Sequence, residues 1–292
     1  MEPVCMISNE RPPIANLIST AGILSVLLAC KTEELNDGAS RNYFPEIAET
    51  VTGLCNFAIA NNGHLPTCVP PRQIGSPTSP IVQVCHGSPG ILLLMACARR
   101  NAHLTANYWQ PEWDQAIKLA SERIWEEGLL SKGGGLCHGI TGNSWPLLLM
   151  HDCFEYEGEL MEEAKRNYKS RTQTADLPST QPELTGDYFL SKALALLLHV
   201  RETPPFNTSP QPGSNDYRMP DMPYALTEGL TGTMCAWSES CVAIQARLRK
   251  MELDAEGKTS AAAREQDAVF RELEGRHLGF PTLAYHRPTG MF

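Results

Sequence analysis

The string Cys-His-Gly-x-x-Gly occurs twice in this chain, as Val84-Cys85-His86-Gly87-Ser88-Pro89-Gly90 and as Leu136-Cys137-His138-Gly139-Ile140-Thr141-Gly142-Asn143, each time leading into an apolar run. A duplicated turn-plus-helix unit marks a repeat architecture, in which each unit buries its apolar face on its neighbours. Two further segments share the form without the Cys-His pair: Ser19-Thr20-Ala21-Gly22 before residues 23–28, and Gly229-Leu230-Thr231-Gly232 before residues 233–237. All four read as a small-residue turn followed by an apolar helix.

Longer amphipathic segments lie between these units. Phe44, Ile47, Val51, Leu54 and Ala58 make one helical stripe; Trp113, Ile117, Ala120 and Ile124 make another, opened by Pro111 and closed near Gly128. No run of β-branched alternation interrupts the helical spacing, so the expected fold class is all-α, with apolar helices as an inner ring and amphipathic ones as an outer ring. The glycines would let the inner helices begin close together at one end, where helix-start amides favour anions and thiolates. Residues 66–80, 157–185 and 203–223 are expected to be loops or insertions, and the charged stretch 248–276 a solvated outer helix. None reads as a domain boundary, so residues 1–292 are expected to form a single domain.

Charge narrows the function classes. A net charge of −9 offers no surface for neutralising phosphates, which argues against nucleic acid and against anionic membrane surfaces. The 10 cysteines include Cys30, Cys55 and Cys97 inside apolar helical stretches, the pattern of buried free thiols in a reducing compartment. The longest apolar stretches, 23–30 and 91–97, fall far short of the ~20 residues that span a bilayer. Met1-Glu2-Pro3 lacks the basic start of a signal peptide, so a cytoplasmic location is expected, and the sequon at Asn207-Thr208-Ser209 is read as a chance match.

The doubled motif points to metal chemistry. Zinc prefers thiolate and imidazole, and a catalytic site uses three protein ligands with a fourth position open. A regular helix or strand would point the adjacent Cys137 and His138 apart, so both reach one metal only from an irregular, glycine-flanked turn. Cys85 from the neighbouring repeat completes a Cys, Cys, His set. Spacing alone leaves two alternatives: a closed structural site of Cys85, His86, Cys137 and His138, or no metal and simply buried cysteines.

The two Cys-His-Gly strings and Glu228-Gly229-Leu230-Thr231-Gly232-Thr233 resemble the last three inner-helix motifs of the lanthionine synthetase C-like family, and Gly279-Phe280-Pro281-Thr282-Leu283 resembles the family's ending. The resemblance covers most of residues 17–292. It implies an α/α toroid of helix pairs, of which this chain carries four of seven and is therefore a partial ring, with zinc at one end of the inner ring. Carried over residue by residue, the zinc ligands are Cys85, Cys137 and His138, and the fourth position takes solvent or a substrate thiol. The resemblance implies glutathione or a peptide thiol as one partner and a dehydroalanine- or dehydrobutyrine-containing peptide or protein as the other, joined by a thioether bond. Lys132 and Arg218 match basic positions near glutathione. Cytoplasmic or membrane-peripheral placement is implied as well.

The chain departs from the family pattern in two respects. Ile18 stands where members carry an acid/base His, and His86 is the candidate to replace it as proton donor. The three preceding repeats are absent, which leaves three alternatives: a truncated reading frame with residues 1–19 divergent or foreign to the native protein, which is the favoured one, a second copy covering the open ring edge, or a degraded paralogue that binds zinc or glutathione without catalysis. Three functions are thereby defined: a thiol-adding enzyme, a non-catalytic zinc and glutathione binder acting through protein contacts, and, from toroid architecture alone, a glycoside hydrolase. The last needs a facing carboxylate pair, and the repeated turns hold only Glu228.

Overall fold

Every regular element among the described residues is helical. A computed structural model describes residues 17–65, 81–173, 184–207, 217–220, 222–281 and 283; 69% of these are in helices and none is in a strand, so the chain is all-α. In chain order the helices are α1 (Leu17–Leu28), α2 (Thr32–Leu35), α3 (Phe44–Ala60), α4 (Ser88–Arg100), α5 (Ala102–Tyr108) and α6 (Pro111–Glu127). They continue with α7 (Ile140–Tyr156), α8 (Gly158–Thr172), α9 (Gly186–His199), α10 (Leu230–Ala255), α11 (Ala261–Gln266) and α12 (Ala268–Arg276).

Helices α1, α4, α7 and α10 pack side by side as an inner row, and α3, α6 and α9 alternate with them as an outer row, giving a partial α/α toroid. Burial explains the division. Every residue from 140 to 153 in α7 is buried, as a helix flanked on all sides requires, whereas α3 and α6 bury single stripes. Those stripes contain the residues that the spacing predicts: Phe44, Ile47, Val51, Leu54 and Ala58, then Trp113, Ile117, Ala120 and Ile124. Outer helices are also tied to each other. Trp113 Nε1 donates to Thr52 Oγ1 at 3.0 Å between α3 and α6, and the Lys192 ammonium of α9 lies 4.4 Å from the Trp125 ring of α6.

Three expectations need correction. Residues 19–22 are not a turn: α1 already runs through them, since Ser-Thr-Ala-Gly lacks the glycine that starts the other inner helices. The polar stretch 157–185 contains α8, which buries little besides Met161 and Ala164 and is held to the α5 end of the neighbouring repeat by long polar side chains. Asn167 Nδ2 donates to Ala106 O at 2.9 Å, Arg171 Nη2 to Trp109 O at 3.0 Å, and Tyr168 meets Trp109 edge-on at 5.8 Å. Residues 248–276 are not one solvated helix but the end of α10, then α11 and α12, with Leu253, Phe270 and Leu273 buried around Tyr156. Residues 66–80, and Thr208 and Ser209 of the sequon, lie outside the described residues.

After α12 the chain returns to the inner row. His277 is buried between Asp152 of α7, at 3.5 Å from its Nε2, and Glu239 of α10, which its Nδ1 contacts. The Leu278 and Gly279 amides donate to the Glu239 carboxylate at 2.8 and 3.1 Å, and Phe280 packs edge-on against Trp145 at 5.5 Å. One hydrophobic cluster therefore runs from Ala21 of α1 to Phe280.

Candidate metal centre

Three loops, each leading into an inner helix, lie side by side at one end of the row. In the first, Gln83 and His86 exchange main-chain hydrogen bonds at 3.0 and 2.9 Å, closing a tight turn with Cys85 inside it. Gly87 then caps α4 at φ +124, where a Cβ would collide with the Ile81 carbonyl. The second loop, 128–139, folds back over the start of α7: Ile140 N donates to Gly133 O at 2.9 Å and Gly142 N to Gly135 O at 3.3 Å. A Cβ on Gly142 would lie within the Leu136 carbonyl. Close approach of main chain to main chain is thus what the Gly-x-x-Gly spacing provides.

Main-chain bonds run across the three loops. Cys85 N donates to Cys137 O at 3.3 Å, and Cys137 N donates to Thr227 O, in the loop before α10, at 2.7 Å. On the far side of the second loop Thr233 Oγ1 donates to Gly134 O at 2.6 Å and meets Thr141 Oγ1 at 3.1 Å, both threonines being buried. On the near side Asn143 Nδ2 donates to Val82 O and to Gly128 O, at 2.9 Å each.

This scaffold brings the ligand atoms of Cys85, Cys137 and His138 within 4.8 Å of one another, all three residues half-buried. His86 is not part of the group. Its main-chain pairing with Gln83 holds it on the other limb of the turn, with Nδ1 buried and without a partner, so among the described residues the closed four-ligand alternative is not assembled. Burial, and then the adjacent Cys137 thiol with which it shares a hydrogen bond, push the Cys85 thiol up to about 12; the Lys132 charge pulls it the other way. The Cys85 thiol, so shifted beside Cys137, stays protonated unaided at neutral pH. A divalent cation between them reverses the balance, because it coordinates thiolate. The donor set, two thiols and one imidazole within 4.8 Å of one another, fits zinc, which prefers sulfur and nitrogen ligands.

Lys132 and Arg218 are both exposed at the rim of this end. Arg218 N donates to Ser131 O at 2.8 Å, which sets the two basic residues on adjoining stretches of main chain. The backbone of Ile18 is in the first turn of α1, but its side chain lies outside the described residues. Asn143, Thr141 and Thr233 are the structural contributors that motif reading passes over. Their signal in the sequence is faint, polar residues in the first turns of otherwise apolar helices. Thr227 contributes only its carbonyl and leaves no signal.

The family model for lanthionine synthetase C-like proteins matches residues 19–189, more than half of the chain, and the chain belongs to that family. The matched region includes Cys85, Lys132, Cys137 and His138. A zebrafish (Danio rerio) protein named glutathione S-transferase LANCL1 is 23% identical over 191 residues, which cover 65% of this chain and 35% of that protein. The LanC-like protein GCL1 of Arabidopsis thaliana is 26% identical over 181 residues, 60% of this chain and 36% of that protein. The chain thus spans about a third of the length of these curated relatives. No described helix is long and apolar enough to cross a membrane.

Proposed function

We propose that this chain binds zinc through Cys85, Cys137 and His138 and adds the thiol of glutathione to dehydroalanine or dehydrobutyrine residues of a peptide or protein. The gathering of three soft donors within 4.8 Å carries the reading, and the glutathione in the zebrafish relative's name supports the choice of thiol. Bound there, zinc supplies a Lewis acid that turns a substrate thiol into a thiolate at neutral pH. Cys85, Cys137 and His138 fill three positions and leave the fourth for that thiol. Lys132 and Arg218 orient glutathione by its carboxylates, both side chains being exposed at the rim.

In the addition, the glutathione thiol gives up its proton to solvent, its sulfur bonds to the β-carbon, the carbon–carbon double bond is consumed, and the α-carbon takes up one proton, so that the sum is addition of S–H across the double bond. His86 is the proposed donor of that proton, since it adjoins Cys85 and imidazole is suited to proton transfer near neutral pH. The reaction needs reduced thiols, and the cysteines at 30, 55, 85, 97, 137, 153, 235 and 241 are all free, which supports a cytoplasmic setting.

Mass spectrometry of a dehydroalanine peptide incubated with glutathione tests the proposal. The expected result is a thioether adduct formed above the uncatalysed rate and abolished by Cys137→Ala; Lys132→Ala and Arg218→Ala should each weaken glutathione affinity about tenfold. No adduct above the uncatalysed rate contradicts the enzyme reading. Glutathione affinity that persists without adduct, and falls in the two variants, would identify the chain as a binder.

A further inference from the structure

Asn143 is six residues beyond Cys137 in the first turn of α7, and it is fully buried. Its amide nitrogen spans two carbonyls on separate elements: Val82, three residues before Cys85, and Gly128, at the end of α6 where the loop carrying Cys137 and His138 begins, both at 2.9 Å. Its Oδ1 has no hydrogen-bond partner among the described residues, so there the side chain's polar contacts are these two donor bonds. One side chain therefore couples the start of the Cys85 turn to the start of the Cys137–His138 loop and to the helix that follows. Among the described residues, the main-chain bond that joins the two ligand loops, Cys85 N to Cys137 O, is longer at 3.3 Å.

We infer that Asn143 is a positioning residue for the metal centre, fixing the distance between Cys85 and the Cys137–His138 pair. The inference rests on the zinc reading. Asn143 touches neither metal nor substrate, and its effect is carried through Val82 and Gly128. Its loss leaves two buried carbonyls unpaired and lets the first loop move against the second, so the three donors no longer converge without added ordering. Supporting groups of this kind typically change metal affinity by about 10–100-fold.

The test measures Co2+ and Zn2+ affinity of the full chain by chelator competition, with the thiolate-to-cobalt absorption band as readout, at a temperature where circular dichroism shows each variant folded. Thr105→Val is the matched control: Thr105 is as buried, and its hydroxyl shares its one hydrogen between two carbonyls, Ala98 at 2.8 Å and Arg99 at 3.1 Å, at the opposite end of α4. Asn143→Ala is expected to bind both metals at least about tenfold more weakly, with an altered cobalt band, while Thr105→Val loses stability and keeps wild-type affinity. If the alanine variant does not fold, Asn143→Ser, which keeps one donor, carries the test with a smaller loss expected. Wild-type affinity in a folded Asn143 variant, or an equal loss in Thr105→Val, overturns the positioning role while leaving the zinc reading intact. A wild-type chain that binds neither metal overturns the zinc reading itself.

Discussion

Gly142 illustrates how the site depends on atoms that are missing. Its α-carbon faces the Leu136 carbonyl so closely that any Cβ would have to displace the loop carrying Cys137 and His138. Gly142→Ala is expected to destabilise the fold by about 1–3 kcal/mol, as overpacking against immobile backbone does, and urea unfolding measures it; a loss below about 0.5 kcal/mol would contradict the close approach. At this scale the sequence makes the turn of Cys137 and His138 legible, because adjacent ligands demand an irregular turn and glycines announce one, while the choice of Cys85, Cys137 and His138 as the set comes from the family resemblance. It is ambiguous about His86, whose exclusion follows from the Gln83 pairing. The approach of Arg218 to Lys132 depends on a main-chain bond to Ser131, which no side-chain pattern encodes.

Among the helices, α12 shows how a short segment is fixed at its start. Asp267 caps it, accepting from Val269 N at 3.0 Å and Phe270 N at 3.1 Å, and also receives Arg249 Nη2 of α10 at 2.7 Å. Asp267→Ala should cost about 1 kcal/mol or more, since cap and cross-helix bond are lost together; chemical denaturation beside Arg249→Ala separates the two, and no change in either variant would contradict the assignment. Helices α3 and α6 are legible in sequence because their buried residues recur every three or four positions over 17 residues. Helix α8 is not, since its 15 residues bury only Met161 and Ala164 and it is secured by Asn167 and Arg171, whose partners are carbonyls on another repeat. The start of α1 is misread for a related reason: Ser-Thr-Ala-Gly looks like the other turns, but only a glycine ahead of the string would start the helix later.

Across the whole molecule, the segment after α12 joins first-row contacts that the repeats alone do not make. His277 carries a buried link between α7 and α10, and Asp152 continues it to Arg100 of α4 at 3.2 Å. Burial opposes a charge on His277, but its hydrogen bonds to Asp152 and Glu239 outweigh burial and raise its pKa above the ordinary 6.5. A raised pKa gives stability that is fully present below 6.5 and is lost as pH rises through the folded value. Wild type should therefore lose stability from about pH 6.5 upward relative to His277→Gln, measured by urea unfolding at each pH; parallel curves would contradict the buried charged link. The proposed metal centre is a whole-molecule property too, since it needs loops from two repeats held in register by a third. Its most direct measurement is metal content by mass spectrometry after dialysis against a mild chelator. About one zinc per wild-type chain, lost in Cys137→Ala, is the predicted result; a folded wild-type chain that retains no zinc would contradict the account.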